Sequence, residues 1–340
     1  MSGANGSSGV RRSAAHGKVI LFGEHAVVYG VPALAVGIDR GAWADATPCN
    51  ESRSSMHVRD WNVTVSDDVA DDGLPLARAF RDVLAVTRDA QRAEGRAPVG
   101  VVTVDAGADL PPGGGLGCSA ALGVAVARAL DPLATPEVIA SRVMAWERVF
   151  HGNPSGIDAT VSSLGGCVLY ERSDAQAPTI QRVRLPRTLL LCVGHSGIAS
   201  STKTMVEAVA RLRERRLETT QKTFDAIHTL VKNARLAIEA GDERAIGQLL
   251  DLNQMLLSGL FVSTPEIEQM CEAARSAGAH GAKLTGAGGG GCVVALVDEA
   301  SKGEAVLSAW KRDGFDGFLT RVGGVVSKDT TPVAMAQGAP

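Results

Sequence analysis

Two acidic residues flank a glycine and proline break in the middle of the chain. Glu147 falls in the last turns of a predicted helix, and Asp158 follows the break near the start of the next helix. Such a break can bring both carboxylates to one cavity, where one holds a divalent cation and the other faces a substrate hydroxyl. Mg²⁺ prefers one or two carboxylates with phosphate oxygens and waters, so Glu147 aided by the Ser119 hydroxyl is a suitable pair. The structural alternative is a Glu147–Arg148 ion pair and an exposed Asp158.

A glycine-rich loop runs directly into a predicted helix at residues 118–130. Four glycines occupy five positions there, so several backbone N–H groups and the positive end of the helix dipole converge on one spot. We expect the phosphates of a nucleotide to bind there, although the loop lacks the Gly-Lys-Ser/Thr of a P-loop and fits the dinucleotide fingerprint poorly. A plain helix-capping turn is the alternative. The residues assigned to the nucleotide are Pro112, Gly113, Gly114, Gly115, Leu116, Gly117, Cys118, Ser119 and Ala120.

Polar residues also bracket the first apolar strand. Lys18 stands near the beginning of this strand, and Glu24 and His25 follow its end. On their own, an edge-strand lysine and a surface Glu-His pair are common structural features.

A second glycine cluster lies between two predicted strands near the C-terminal end of the chain. Five glycines occupy six positions after Thr285, which is more than a hairpin turn needs. The excess predicts backbone packed closely against a ligand or another loop.

The composition excludes several classes of protein. The chain has 340 residues, is 45% hydrophobic and carries a formal net charge of −3, which gives no electrostatic footprint for nucleic acid. No apolar run approaches the roughly 18 residues of a membrane span, so we expect no membrane partner. The six cysteines are widely spaced and lack metal-ligand spacing, which favours a cytoplasmic protein. Residues 1–13 resemble a disordered Gly/Ser-rich arm.

The periodicity of the chain predicts the elements that must position these residues. Apolar runs predict strands at 16–22, 33–38, 99–105, 167–170, 188–193, 282–285, 292–297 and 317–322, and a pair of strands within 56–66. Spacings of three and four predict helices at 74–94, 118–130, 136–150, after 154, and at 202–217, 219–240, 242–257, 265–277 and 301–313. This mixed order, with an interruption near 172–187, predicts two α+β domains.

Together these stretches resemble the GHMP kinase superfamily, and most closely its mevalonate kinases. Residues 17–30 (GKVILFGEHAVVYG) are similar to the first motif of the family, 111–122 to the second and 284–292 to the third. Residues 151–158 (HGNPSGID) resemble a segment characteristic of mevalonate kinases. The resemblance covers about residues 15–325. This chain departs from the family in having His16 where Pro is usual and Cys118 where Ser is usual.

The resemblance implies a two-domain α+β fold. An N-terminal ATP-binding domain is expected at 14–180, a ferredoxin-like C-terminal domain at 181–327 and a flexible tail at 328–340. The implied activity is ATP-dependent phosphorylation of the 5-hydroxyl of mevalonate in isoprenoid biosynthesis, with ATP and Mg²⁺ required. The implied partner is this small-molecule substrate, and a homodimer is left open.

The resemblance also assigns roles to individual residues. Asp158 is implied as the catalytic base, with Lys18 beside it favouring a deprotonating substrate hydroxyl. Ser119 and Glu147 are implied as the Mg²⁺ ligands. Residues near the substrate are implied to be Lys18, Glu24, His25, Asp158 and Thr202. Gly286 and Ala287 of the third motif, which supports the phosphate loop, are implied to bind the nucleotide as well.

Three other functions remain as alternatives at this stage. A kinase for phosphomevalonate or a related hydroxy acid would need additional basic residues that the sequence does not reveal. Diphosphomevalonate decarboxylase fits the HGNPSGID stretch poorly. A non-catalytic ligand-binding relative would be free to lose Lys18, Glu147 or Asp158, and all three are present. Separately, the position of Cys118 at a helix N-terminus predicts a lowered thiol pKa and a reactive cysteine that ATP protects.

Overall fold

The computed structural model describes residues 11–68, 73–111, 114–152, 154–172 and 178–322. Its strands are β1 (Arg11–Phe22), β2 (Ala33–Pro48), β3 (Ser55–Val58), β4 (Val63–Ser66), β5 (Val102–Ala108), β6 (Cys167–Glu171), β7 (Thr179–Val183), β8 (Leu190–His195), β9 (Gly281–Thr285), β10 (Cys292–Val297) and β11 (Asp316–Arg321). Its α-helices are α1 (Pro75–Ala93), α2 (Cys118–Leu130), α3 (Pro136–His151), α4 (Ile157–Leu164), α5 (Thr202–Arg215), α6 (Leu217–Ala240), α7 (Glu243–Gly259), α8 (Pro265–Ser276) and α9 (Ala300–Arg312).

The first sheet is organised around the long strand β2. Along the sheet the strands follow the order β4-β3-β5-β2-β6-β7, and β1 pairs with β2. The pairing of β1 with β2 is antiparallel, with register shifts at His16/Gly17 and Ile20/Phe22. Lys18 therefore lies on a strand that is paired with β2 from its first residue to its last.

Helix α2 forms the centre of the N-terminal core. It packs on β1, β2 and α3, and almost all of its side chains are buried. Its Ala, Val and Leu side chains surround the helix on every side, as expected for a helix that is covered all round. Because its first turn follows the glycine loop directly, the core fixes the position of that loop.

The second sheet is antiparallel, with the strand order β11-β8-β10-β9. Numbered within the domain, this order is 4-1-3-2, which is the arrangement of a ferredoxin-like fold. All six residues of β10 are buried in the middle of this sheet. The turn between β9 and β10 holds the second glycine cluster, and β9 contacts the end of β1.

The expected elements are largely confirmed, and three boundaries differ. Strand β1 begins at Arg11, so residues 11–13 pair with β2 instead of forming part of an arm. Strand β7 was not predicted, and it extends the first sheet to Val183, past the expected domain boundary at 180. Strand β2 continues ten residues beyond the expected end at Ile38. The rest of the expected arm, residues 1–10, and the expected tail, 328–340, lie outside the described residues.

Within the described ranges, none of the helices combines the length and the apolarity that crossing a membrane requires.

Candidate active site

Lys18 is the centre of the site. Its backbone N–H donates to the Leu116 carbonyl at 2.8 Å, which joins β1 to the glycine loop. Its Nζ lies 2.9 Å from Asp158 Oδ1 and donates to the Gly115 carbonyl at 3.3 Å. The lysine side chain is 4% exposed, whereas that of Asp158 is 32% exposed. The carboxylate is thus the member of the pair that an incoming molecule can reach.

Two helix N-termini meet around this pair. Helix α2 starts after Gly117 (φ 71°) and helix α4 after Gly156 (φ 85°), and neither glycine has a side chain that could cap its helix. At the start of α4, the Ser155 hydroxyl accepts from the Ile157 N–H at 3.4 Å. An added Cβ on Gly117 would lie 3.3 Å from the Lys18 Cβ, so glycine allows the close approach. The glycine cap of α2 leaves its first N–H groups available for a bound anion, and both helix dipoles present their positive ends.

Ser119 and Glu147 form the candidate metal-binding pair. The Ser119 hydroxyl donates to Glu147 Oε1 at 2.8 Å and accepts from Trp146 Nε1 at 3.2 Å. Burial, and then the nearby charge of Asp158, raises the pKa of Glu147 to about 7. A buried carboxylate crowded by a second carboxylate is a site where a cation relieves unbalanced negative charge.

The oxygen donors of Ser119 and Glu147 match Mg²⁺ better than a metal ion that protein side chains coordinate on all sides. Among the described residues no three His, Cys, Asp or Glu side chains are arranged to hold a metal ion together. One carboxylate and one hydroxyl beside a phosphate loop leave coordination positions for phosphate oxygens and waters, as Mg²⁺ prefers. Ser119 and Glu147 therefore fit this ion.

The second glycine cluster packs against the first. An added Cβ on Gly115 would lie 3.6 Å from the Thr285 carbonyl oxygen, and one on Gly114 would lie 3.1 Å from Cys292 Sγ. On the other side of the cluster, an added Cβ on Gly288 would lie 2.2 Å from the Val262 carbonyl oxygen. The excess of glycine is thus explained by loop-on-loop packing, which holds the first loop from behind.

The turn after β1 joins the two domains. His25 adopts a left-handed conformation (φ 59°), and its Nε2 donates to the Ala287 carbonyl at 2.8 Å. Burial lowers the pKa of His25, and its hydrogen bond to Ala287 opposes this shift. Glu24 forms a fully buried ion pair with Lys283 and accepts from Asn253 Nδ2 at 3.2 Å.

The structure brings together most of the residues that the sequence singled out. Lys18 makes hydrogen bonds to Gly115 and Leu116, and Gly117 lies beside it. Cys118, Ser119 and Ala120 form the first turn of α2, and the Ser119 hydroxyl contacts Glu147. Gly286 packs against Gly115, Gly114 packs against Cys292, and the Ala287 carbonyl accepts from His25. Pro112 and Gly113 lie outside the described residues.

Two further expected substrate contacts are Glu24, which is buried, and Thr202, which is exposed. The Glu24 carboxylate has no exposed area because it faces Lys283, so it does not line the opening beside Asp158. Thr202 is an exposed residue in the first turn of α5. Its neighbours Ser200 and Met205 reach the second glycine cluster at Gly289.

The expectation of a reactive Cys118 is wrong. The side chain is buried against the core, and its Sγ faces the Leu110 carbonyl at 3.8 Å. Burial raises the pKa of the Cys118 thiol to about 12, with smaller contributions from Asp109 and Asp60. Desolvation of the thiolate therefore outweighs the helix dipole.

Two further residues belong to the site but were not assigned a role from the sequence. Trp146 donates its indole N–H to the Ser119 hydroxyl. The signal in the sequence was a tryptophan directly before Glu147. Lys283 holds Glu24 from the other domain, and it stands immediately before the third motif in the sequence.

Comparison with known proteins agrees with this geometry. Residues 81–166 match the GHMP kinases N terminal domain, and residues 234–316 match the GHMP kinases C terminal model. Mevalonate kinase of Thermococcus sibiricus is 35% identical over 329 residues, covering 91% of this chain and 95% of that protein. Mevalonate kinase of Pyrococcus furiosus is 33% identical with the same coverage. The chain belongs to the GHMP kinase family.

Solved structures of GHMP kinases share the fold of this chain. L. major mevalonate kinase in complex with R-mevalonate has a TM-score of 0.77 and 27% identity, covering 92% of this chain and 95% of that one. Methanococcus jannaschii mevalonate kinase has a TM-score of 0.77 at 22% identity, covering 94% of this chain and all of that one, and supports the fold alone. The glycine loops and the Lys18–Asp158 pair are thus set in a complete GHMP kinase scaffold.

Proposed function

We propose that this chain transfers the γ-phosphoryl group of ATP to the 5-hydroxyl of mevalonate, giving 5-phosphomevalonate and ADP. The observation that carries the proposal is the contact of Lys18 with Asp158 and with the carbonyl of Gly115 in the phosphate loop. The curated relatives that support it are named mevalonate kinase and align over most of this chain. A solved relative in complex with R-mevalonate has the same fold.

The nucleotide side of the proposed site is built from backbone groups. The free N–H groups at the start of α2 face the phosphates, and the loop from Gly114 to Gly117 lets the chain approach them closely. Ser119 and Glu147 hold Mg²⁺, which when bound offsets phosphate charge during transfer. Trp146 keeps the Ser119 hydroxyl in place through its indole N–H.

The acceptor side of the proposed site depends on Asp158. Its partly exposed carboxylate accepts the proton of the substrate hydroxyl as the oxygen attacks phosphorus. Lys18 Nζ, 2.9 Å away, orients this carboxylate and adds positive charge near the attacking oxygen. Phosphoryl transfer requires little more from a protein than alignment and charge stabilisation, which this arrangement supplies.

We also propose that the protein acts in the cytosol. All six cysteines are unpaired, and five of them are buried. Unpaired cysteines that act as small buried apolar residues are typical of proteins in a reducing compartment.

The test is ADP release from MgATP with mevalonate, phosphomevalonate and galactose offered separately to the purified chain. We expect rapid release with mevalonate and only background release with the other two. Background release with mevalonate, together with activity on another acceptor, would overturn the substrate assignment and leave the fold unaffected. A surface substitution, Lys222→Met, should leave this release unchanged, because Lys222 is an exposed lysine that pairs with Glu218 on the surface of α6.

A further inference from the structure

The described residues contain one lysine whose side chain has no exposed area and which lies between the two domains. Lys283 stands in β9 of the second sheet, and its Nζ donates to Glu24 in the turn after β1. The same Nζ donates to the Leu284 carbonyl and, at 3.5 Å, to the Ile20 carbonyl. All three ammonium protons therefore have acceptors, and two of these acceptors belong to the other domain.

Neighbouring residues of the same segment bind the same part of β1. Thr285 Oγ1 accepts from the Ile20 N–H and donates to the Ile20 carbonyl, each at 3.0 Å. The Ala287 carbonyl accepts from His25. Residues 283–287 thus hold the chain at three points, at Ile20, Glu24 and His25.

These three points directly follow the part of β1 that carries Lys18. Ile20 is two residues from Lys18 along the strand, and His25 has a left-handed conformation that an L-residue adopts only at a cost in free energy. The local chain does not favour this turn by itself, so contacts from outside must maintain it. The Glu24–Lys283 pair supplies the only ionic contact that the structure describes for the turn.

We propose that Lys283 is a positioning residue that acts through Glu24: it sets the turn after β1, and with it Lys18 and His25, against the phosphate loop. This inference rests on the proposed phosphoryl transfer to mevalonate. It explains why Glu24 follows the strand of Lys18 yet points away from the opening. It also gives the third motif a second role, since the segment that supports the phosphate loop also aligns the acceptor side.

A buried pair can also be merely structural, so the test must separate position from stability. Loss of one partner leaves an uncompensated buried charge and destabilises the fold, whereas neutral replacement of both is often tolerated. We therefore compare Lys283→Met with the double variant Glu24→Gln, Lys283→Met. Trp310→Phe is the matched control, since it removes a buried hydrogen bond to the Met270 carbonyl within the second domain, away from β1.

In the Lys283→Met variant we expect kcat with mevalonate to fall by about 10²-fold, because a misplaced reacting group costs a factor of this order. Nucleotide affinity, measured by equilibrium binding without mevalonate, should stay within about twofold, since the free N–H groups at the start of α2 do not depend on the pair. The double variant should regain the thermal midpoint and remain slow, because Gln and Met cannot restore the bonds to Ile20 and Leu284. Trp310→Phe should lose stability and keep its kcat.

Three results would overturn the inference. One is a folded Lys283→Met or double variant with the kcat and the mevalonate KM of the starting protein. Another is that neither variant folds, which would make the pair a stability element. A third is that Trp310→Phe loses kcat in proportion to its loss of stability. If the unsubstituted chain itself released no ADP with mevalonate, the proposed function would fail before any variant was compared.

Discussion

Replacing Glu147 with Gln should stabilise the metal-free protein while impairing metal binding. The carboxylate is 2% exposed and lies near Asp158, and these surroundings raise its pKa from 4.5 to about 7. Gln has the same shape and keeps a carbonyl oxygen that can accept from Ser119, so the substitution removes mainly the charge. The change in stability therefore measures the cost of holding that charge in place.

The magnitude follows from the shift in pKa. Each unit corresponds to about 1.4 kcal/mol, so the change from 4.5 to about 7 amounts to about 3 kcal/mol for the fully ionised group. A carboxyl whose pKa is raised by folding binds its proton more tightly in the folded state. The protonated carboxyl of Glu147 thus contributes its full stabilisation of the fold below about pH 4.5. This contribution is lost as the pH rises through about 7 and the folded protein also loses the proton.

The assay is urea unfolding followed by tryptophan fluorescence, without Mg²⁺, at about pH 5 and about pH 8. Trp146 is adjacent to Glu147, and Trp43 and Trp61 lie in the same domain, whereas Trp310 reports on the second domain. At the higher pH we expect Glu147→Gln to raise the free energy of unfolding by about 2–3 kcal/mol, and at the lower pH to raise it by less than about 1 kcal/mol. Added MgATP should stabilise the unsubstituted protein more than the variant.

A Gln variant that is less stable than the unsubstituted protein at about pH 8 would refute this reasoning. Such a result would mean that the charge of Glu147 is fully compensated within the protein and contributes to the fold. Equal stabilisation of both proteins by MgATP would separately remove Glu147 from the metal site.

Three further predictions concern the loops around the site. Ser119→Ala should raise the Mg²⁺ concentration required for half-maximal ADP release by about tenfold, and an unchanged titration would exclude the hydroxyl as a ligand. Cys118 should react with a thiol alkylator more than about tenfold more slowly than the partly exposed Cys49, with or without ATP, as followed by mass spectrometry. Gly288→Ala should raise the KM for MgATP by about tenfold, because its Cβ would clash with the Val262 backbone. Gly95→Ala is its control, with a similar φ in open space, and equal effects of the two would show that the loop packing is unimportant.

Local signals predicted much of the fold. The bounds of α2 follow from the glycine loop before it and the end of its apolar run, and the structure has the same limits. Strand β2 was underestimated because Gly37, Asp39 and Gly41 in sequence are typical of a turn. In the sheet, Asp39 and Arg40 lie at the register shift between His16 and Gly17, where β2 has two more residues than β1, and β2 continues past this irregularity.

The parts of the site that could not be predicted depend on distant partners. Lys283 looks like an edge charge in its own strand, and its partner Glu24 is 259 positions away in the chain. Cys118 lies at a helix N-terminus, where the local rule predicts a low pKa, but the packing of the core around it decides the outcome. Lys18 and Asp158 could be grouped because the family motifs that contain them occur in order, and Glu147 could be added because it lies in the helix that leads into residues 151–158.

The most direct test of the account is single-turnover phosphoryl transfer from labelled MgATP to mevalonate by the Asp158→Asn variant. Asn keeps the size of the side chain next to Lys18 but cannot accept the hydroxyl proton. The account predicts that the transfer rate falls by about 10²–10⁴-fold, the contribution typical of a general base, while nucleotide affinity stays within about twofold. A variant that transfers the phosphoryl group at nearly the original rate would contradict the claim that the Lys18–Asp158 pair carries the chemistry.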